Sequence, residues 1–210
     1  MNTIDAAEAV RMRNVHMRFG GVRALDDVHL DVLPGEVHAL LGENGAGKST
    51  ILKILRGVQP PTSGSVVISG TPLTTFTAEA SRKAGVAMAF QEMSLVPTLT
   101  VAENVFLNRE IKDGAGLIDD ATAVTESRKL FARMGVDIDP KAKVADIPAG
   151  QRQLTEIVKA TSQPCKVLVL DEPTTALSQN EVERLFDYVR QLRSQGVAVV
   201  YVSHRMDEIF

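Results

Sequence analysis

A chain of 210 residues, 44% of them hydrophobic, has room for one packed α/β domain with a small insertion, which excludes a disordered or fibrous sequence. Its net charge of −3, with no long basic block, argues against a nucleic-acid-binding face, and no apolar run reaches membrane-spanning length. The single cysteine, Cys165, excludes an intramolecular disulfide, and Met1-Asn2-Thr3-Ile4-Asp5 lacks the start of a signal peptide, so a reducing cytosolic location is expected.

In chain order, Val10 and Met12, then Val15, Met17 and Phe19, alternate with polar neighbours across a one-residue slip, which predicts a strand with a bulge. Val28, Leu30 and Val32 alternate with Asp27, His29 and Asp31 in the same half-buried way. Together they predict an antiparallel sheet near the N-terminus, closed by Pro34-Gly35. The short apolar run Val37–Leu41 then leads into Gly42, Glu43, Asn44, Gly45, Ala46, Gly47, Lys48, Ser49 and Thr50, a complete G-x-x-x-x-G-K-[ST] loop.

Each part of that loop has a mechanical use. The glycines let backbone N–H groups point inward at phosphate oxygens. Lys48 reaches the β- and γ-phosphates, and the Ser49 hydroxyl is placed to ligate Mg²⁺. The helical pattern of Thr50–Arg56 puts a helix N-terminus against the phosphates. The expected ligand is a nucleoside triphosphate.

From about Glu92 to Ile147 the signals are mainly helical, with no convincing buried strand. Thr100 and Glu103 form a capping box ahead of Val101–Leu107, residues 120–134 predict a helix stopped by Gly135, and Lys112–Gly116 is a loop between them. Gln151–Val158 predicts another helix, with Pro148 able to start it. Val167–Leu170 and Val197–Val202 are continuously apolar, as strands buried on both faces should be. Between them a helix capped by Ser178 and Glu181 carries Val182, Leu185, Phe186, Val189 and Leu192 on one face and ends at Gly196, which makes a parallel strand–helix–strand crossover. The first of these strands ends in Asp171 and Glu172, at the edge where open α/β sheets bind ligands. Asp171 is placed to hold Mg²⁺ through water, and Glu172 to polarise a water for in-line attack on the γ-phosphate. His204, just past the next strand, falls at the same edge as a γ-phosphate contact.

The loop at 42–50, Gln91, Gly150-Gln151, Asp171-Glu172 and His204 stand in the order of the nucleotide-binding domain of ATP-binding-cassette (ABC) transporters, which this chain resembles over nearly its whole length. More narrowly it is similar to the first cassette of bacterial ribose/galactose/xylose-type sugar importer ATPases. The segments behind that are Leu40–Thr50, Phe90–Pro97, Val101–Leu107, Asp171–Leu177 and Ser203–Phe210. The resemblance implies an α/β fold: a P-loop NTPase core with a mixed sheet flanked by helices, an N-terminal antiparallel β subdomain, and an inserted helical subdomain over about 92–162 between core segments 1–91 and 163–210. It implies ATP and Mg²⁺ as cofactors, Phe19 stacking on adenine, and Gln91 touching Mg²⁺ and the attacking water. Pro148, Ala149, Gly150 and Gln151 would cap the γ-phosphate of a second cassette in a head-to-tail dimer. The helical subdomain would dock a transmembrane permease at the cytoplasmic face of the inner membrane, with an extracytoplasmic sugar-binding protein engaged only indirectly.

Two departures qualify the resemblance. The usual Leu-Ser-Gly-Gly-Gln signature is here Ile147-Pro148-Ala149-Gly150-Gln151, and Pro148 has neither a hydroxyl nor a backbone N–H, so a weakened signature is expected. Members of the sugar subclass carry two cassettes, so the chain reads as a first cassette cut short at Phe210, able to bind ATP alone but slow to hydrolyse it. A non-catalytic nucleotide-binding fragment and a soluble non-transport ABC ATPase remain open alternatives.

Overall fold

The structure, a computed structural model, describes residues 8–43, 45–89 and 94–203. These fall into two compact units: the described residues of Met1–Met88, Pro164–Glu172 and Leu192–Phe210 form one, and Ala89–Gln163 with Pro173–Gln191 form the other.

The first unit opens with two long strands, β1 (Val10–Phe19) and β2 (Val22–Val32), paired antiparallel. The expected bulge is present. The register shifts between Met12 and Val15 and again between Val15 and Met17, and Asn14 (φ 50°) and Asp27 (φ 53°) take left-handed conformations. Asn and Asp tolerate that region better than other side chains, and Asn14 Nδ2 donates to Asp27 Oδ1 at 2.9 Å. The slip keeps Met12, Val15 and Met17 all facing inward.

β3 (Val37–Leu41) follows, and α1 (Lys48–Arg56) starts two residues earlier than its apolar pattern predicts. Next come β4 (Ser63–Ile68) and β5 (Thr71–Pro72), which extend the antiparallel sheet to the order β2-β1-β4-β5. Sequence reading missed this hairpin for a plain reason: only Val66 and Ile68 of β4 are buried, and the approach through Pro60-Pro61-Thr62-Ser63-Gly64 has turn chemistry. It also missed α2 (Ala78–Ala84), capped by Thr77, and β6 (Val86–Ala89), both short. The second sheet has the order β3-β8-β7-β6, where β7 is Val167–Asp171 and β8 is Ala198–Ser203. β8 pairs in parallel with β3 on one side and β7 on the other, so the predicted crossover unit forms. One core cluster joins the two sheets and α1, with Val10, Met12, Ile54, Leu55, Val169 and Val200 among its buried members.

The second unit is helical. α3 (Val101–Val105) carries the full Thr100–Glu103 capping box, with Glu103 N donating to Thr100 Oγ1 at 3.2 Å and Thr100 N to Glu103 Oε2 at 2.6 Å. It stops at Val105 rather than Leu107, and Asn108 just beyond takes a left-handed φ of 62°. The buried Asn104 accepts from Val96 N at 2.7 Å and donates to Val96 O at 3.0 Å, which pins the preceding loop. α4 (Asp120–Met134) has the expected bounds and ends at Gly135 as expected; its N-cap is Asp119, which the sequence reading did not single out. A 3-10 turn (Val144–Asp146) leads to α5 (Ala149–Thr161), and α6 (Gln179–Ser194) lies beside it, with Tyr188 Oη donating to Thr161 Oγ1 at 2.9 Å. Glu156, buried on α5, accepts from Ser94 Oγ at 2.7 Å, and Lys159 donates to the same Ser94. Among the described residues no helix is long and apolar enough to cross a membrane.

Candidate active site

Parallel register sets the site. Leu41 of β3 lies opposite Ser203 of β8, and Asp171 of β7 lies opposite Val202, so three parallel strands end at one edge of the sheet. The chain leaves β3 directly into the phosphate loop, and α1 begins at its far end, with Gly47 as N-cap at φ 89° and no side-chain cap. Only a glycine fits there. A Cβ at Gly47 would lie 2.7 Å from Leu25 Cδ2 and 3.0 Å from Ala24 O, because β2 closes against the loop from behind. Gly42, Glu43, Gly45, Ala46 and Ser49 are exposed, and Lys48 and Thr50 half-buried. Thr50 N and Ile51 N share Gly47 O at 3.0 Å each, which fixes the first turn of a helix whose N-terminus is a natural anion site.

Lys48 Nζ donates to Gly42 O and, at 2.9 Å, to Glu43 O, so the ammonium lies along the loop's entry. It is also near enough to Asp171 to favour that carboxylate. The net effect on Asp171 is nonetheless upward: burial raises its pKa most, the neighbouring charge of Glu172 raises it further, and Lys48 opposes both. A raised carboxyl contributes stability that is full below its unfolded pKa and is lost as pH rises through the folded value. At neutral pH the ionised Asp171 therefore costs stability. Asp171→Asn should raise the melting temperature of the nucleotide-free chain at pH 7, by on the order of 2 °C. The gain should shrink toward pH 4, as thermal unfolding across pH will read.

Glu172 itself has φ 47°, a left-handed conformation that costs a non-glycine residue about 1–3 kcal/mol. Its N–H donates to Val202 O at 3.0 Å, so the strained turn is tied to the neighbouring strand. Nothing in the local residue types signals this strain. Phe19 ends β1 at the hairpin tip and is 45% exposed. Of the remaining predicted site residues, Asn44, Gln91 and His204 lie outside the described residues.

Pro148, Ala149, Gly150 and Gln151 belong to the second unit. Pro148 is the N-cap of α5, which runs longer than expected in both directions, and no side chain caps it. Gly150 is packed tightly: a Cβ there would meet Glu181 Oε2 at 2.7 Å, Glu181 Oε1 at 2.9 Å and Ala176 O at 3.1 Å. The capping box expected of Ser178 and Glu181 is altered accordingly. Ser178 N donates to Glu181 Oε2 at 2.8 Å as in a capping box, but the Ser178 hydroxyl also donates to that oxygen, at 2.7 Å. The S-x-x-E spacing identified Glu181 as a cap; its second neighbour, Gly150, depends on tertiary packing. The same unit holds an open cleft of about 640 Å³ lined by Phe106, Leu107, Ile118 and Val124, with Glu103 and Glu110 among its polar residues.

Residues 25–175 match the family described as ABC transporter. The chain is 46% identical over 200 residues to the ribose import ATP-binding protein RbsA 1 of Rubrobacter xylanophilus, covering 95% of this chain and 40% of that protein. It is 50% identical over 202 residues to the arabinose import ATP-binding protein AraG 1 of Burkholderia lata, covering 96% of this chain and 40% of that protein. It thus spans about two fifths of the length of these relatives. Among solved structures, the dimeric ATP-binding cassette MJ0796 superposes with a TM-score of 0.82 at 24% identity, over 95% of this chain and 89% of that one. The same cassette bound to ADP and Pi superposes at 0.81 with 25% identity, over 95% and 89% of the two chains. With the phosphate loop, the carboxylate pair and the parallel strand ends in place, the chain belongs to the ABC transporter family of ATP-binding cassettes.

Proposed function

We propose that this chain binds MgATP and hydrolyses it as one cassette of a sugar importer. The observation that carries the reading is the shared edge of β3, β7 and β8, where a complete phosphate loop and the Asp171-Glu172 pair meet. In this reading the loop N–H groups and Lys48 hold the β- and γ-phosphates, and Phe19 stacks on the base. The oxygen donors of Ser49 and Asp171 suit Mg²⁺, a hard cation that keeps several waters, and the ion would neutralise charge on the phosphates. Glu172 accepts a proton from the attacking water, with Gln91 and His204 completing the γ-phosphate surround.

A second cassette would supply its signature to this site head to tail, and Pro148–Gln151 would face the partner's γ-phosphate. The sugar assignment is supported by relatives named for ribose and arabinose import. Coupling to a permease at the cytoplasmic face of the inner membrane would use the helical unit, whose cleft presents Phe106, Leu107, Ile118 and Val124 as an apolar lining. An external sugar-binding protein would act only through that permease. The absence of a side-chain cap at Pro148 favours unequal composite sites, and hence slow turnover by this chain alone.

The test is ATP binding and Mg²⁺-dependent phosphate release by the purified chain. Lys48→Ala should weaken ATP binding about tenfold or more, the value of a charge-assisted contact. Wild-type turnover should be slow in isolation. Failure of the wild-type chain to bind ATP overturns the proposal, and binding without hydrolysis, even beside a second cassette, leaves the nucleotide-binding fragment as the function.

A further inference from the structure

We propose that Glu156 is a positioning residue for Gln91 in the hydrolysis reaction, holding through Ser94 the stretch of chain that follows that glutamine. This rests on the reading of Gln91 as part of the γ-phosphate surround; Ser94 follows it by three positions. Glu156 lies on α5 with 2% of its surface exposed, and its Oε1 accepts from the hydroxyl of Ser94, an exposed residue, at 2.7 Å. Two positions further on, the buried Asn104 takes both backbone groups of Val96, accepting from N at 2.7 Å and donating to O at 3.0 Å. Two buried polar side chains, one from α3 and one from α5, thus hold alternate residues of one short stretch.

Stability alone is a poor account of this arrangement. Taking a carboxyl group out of water costs more than one neutral hydroxyl returns. Among the described residues Glu156 Oε2 has no hydrogen-bond partner. Lys159, also on α5, donates to Ser94 O at 3.3 Å and to Ser94 Oγ at 3.2 Å, so the same serine is gripped twice. Burial lowers the pKa of Lys159 most; the nearby Glu156 opposes that fall and Arg109 adds to it. An apolar residue at position 156 would pack at lower cost, but it could not select one position for Ser94.

Phosphate release by the chain with a second cassette, read beside ATP affinity, tests the assignment. Ser94 is exposed, so Ser94→Ala leaves the core intact and removes only the hydroxyl. It should slow phosphate release about fivefold, the value of one hydrogen bond, with ATP affinity and melting temperature unchanged. Glu156→Gln keeps an acceptor for the hydroxyl and should stay within about twofold of the wild-type rate. Glu156→Ala, compared below its own unfolding transition, should match Ser94→Ala. The double variant Ser94→Ala/Glu156→Ala should be no slower than either single one, because both changes remove the same bond. A wild-type rate in Ser94→Ala, or losses that add in the double variant, overturns the proposal. Gln91→Ala is the control for the functional reading. A wild-type rate in Gln91→Ala rejects the role of Gln91 and the proposal with it, whereas slow Gln91→Ala beside unimpaired Ser94→Ala rejects the positioning role alone.

Discussion

Glu172→Gln should lower ATP hydrolysis by about 10²–10⁴-fold, the contribution of a positioned general base, while ATP affinity stays within about twofold of wild type. The argument is one of location. Glu172 follows a strand buried along its length, and its N–H is tied to Val202 O at 3.0 Å, so the side chain leaves the sheet at a set point beside Asp171. Holding that point requires φ 47°, and a fold maintains such strain where surrounding contacts over-determine it. Gln keeps the size and the hydrogen-bonding reach but cannot take a proton from water. Phosphate release by the chain with a second cassette, set beside equilibrium ATP binding, will separate the two effects. Hydrolysis near the wild-type rate would place the base elsewhere.

Gly64→Ala should destabilise the fold by about 3 kcal/mol, from the left-handed φ and the overpacking together. Gly64 is the second residue of β4, with φ 102°, and a Cβ there would clash with Asn14 O and lie 2.7 Å from Val15 Cα and 2.8 Å from Arg13 O. All three are backbone atoms of β1 at its bulge, so no side-chain rotation relieves the clash. Either β4 separates from β1, or the Asn14–Asp27 bulge is lost and Met12 or Val15 turns outward. For a chain of this size the loss corresponds to a melting temperature lower by about 6–12 °C. Thermal unfolding followed by circular dichroism reads it. Lys48-dependent ATP binding should survive below the transition, because the contacts broken lie in the antiparallel sheet.

The candidate site was legible where chemistry and sequence spacing coincide. The loop from Gly42 to Thr50 has a local shape, and the apolar run ahead of Asp171-Glu172 marks a doubly buried strand from composition alone. The helix caps at Thr100 and Gly135 are local too, since a cap is satisfied within four residues of its own chain. β4 and β5 were not legible. A two-residue strand and a strand with two buried side chains carry too little periodicity, and what places them is pairing with distant partners, β4 on β1 and β5 on β4.

By itself the sequence determined the α/β class, the phosphate loop, the carboxylate pair and the bulged first strand, because each is written in neighbouring residues. Tertiary structure decided what those pieces face. It closed Ala24 and Leu25 on Gly47, raised the pKa of Asp171 by burying it beside Glu172, and set Glu172 in a left-handed turn. It also seated the Glu181 carboxylate on Gly150. The reason is the range of the forces involved. Caps and turns are settled by hydrogen bonds within one turn of chain, whereas desolvation, close packing and charge proximity depend on segments that meet only when the core assembles.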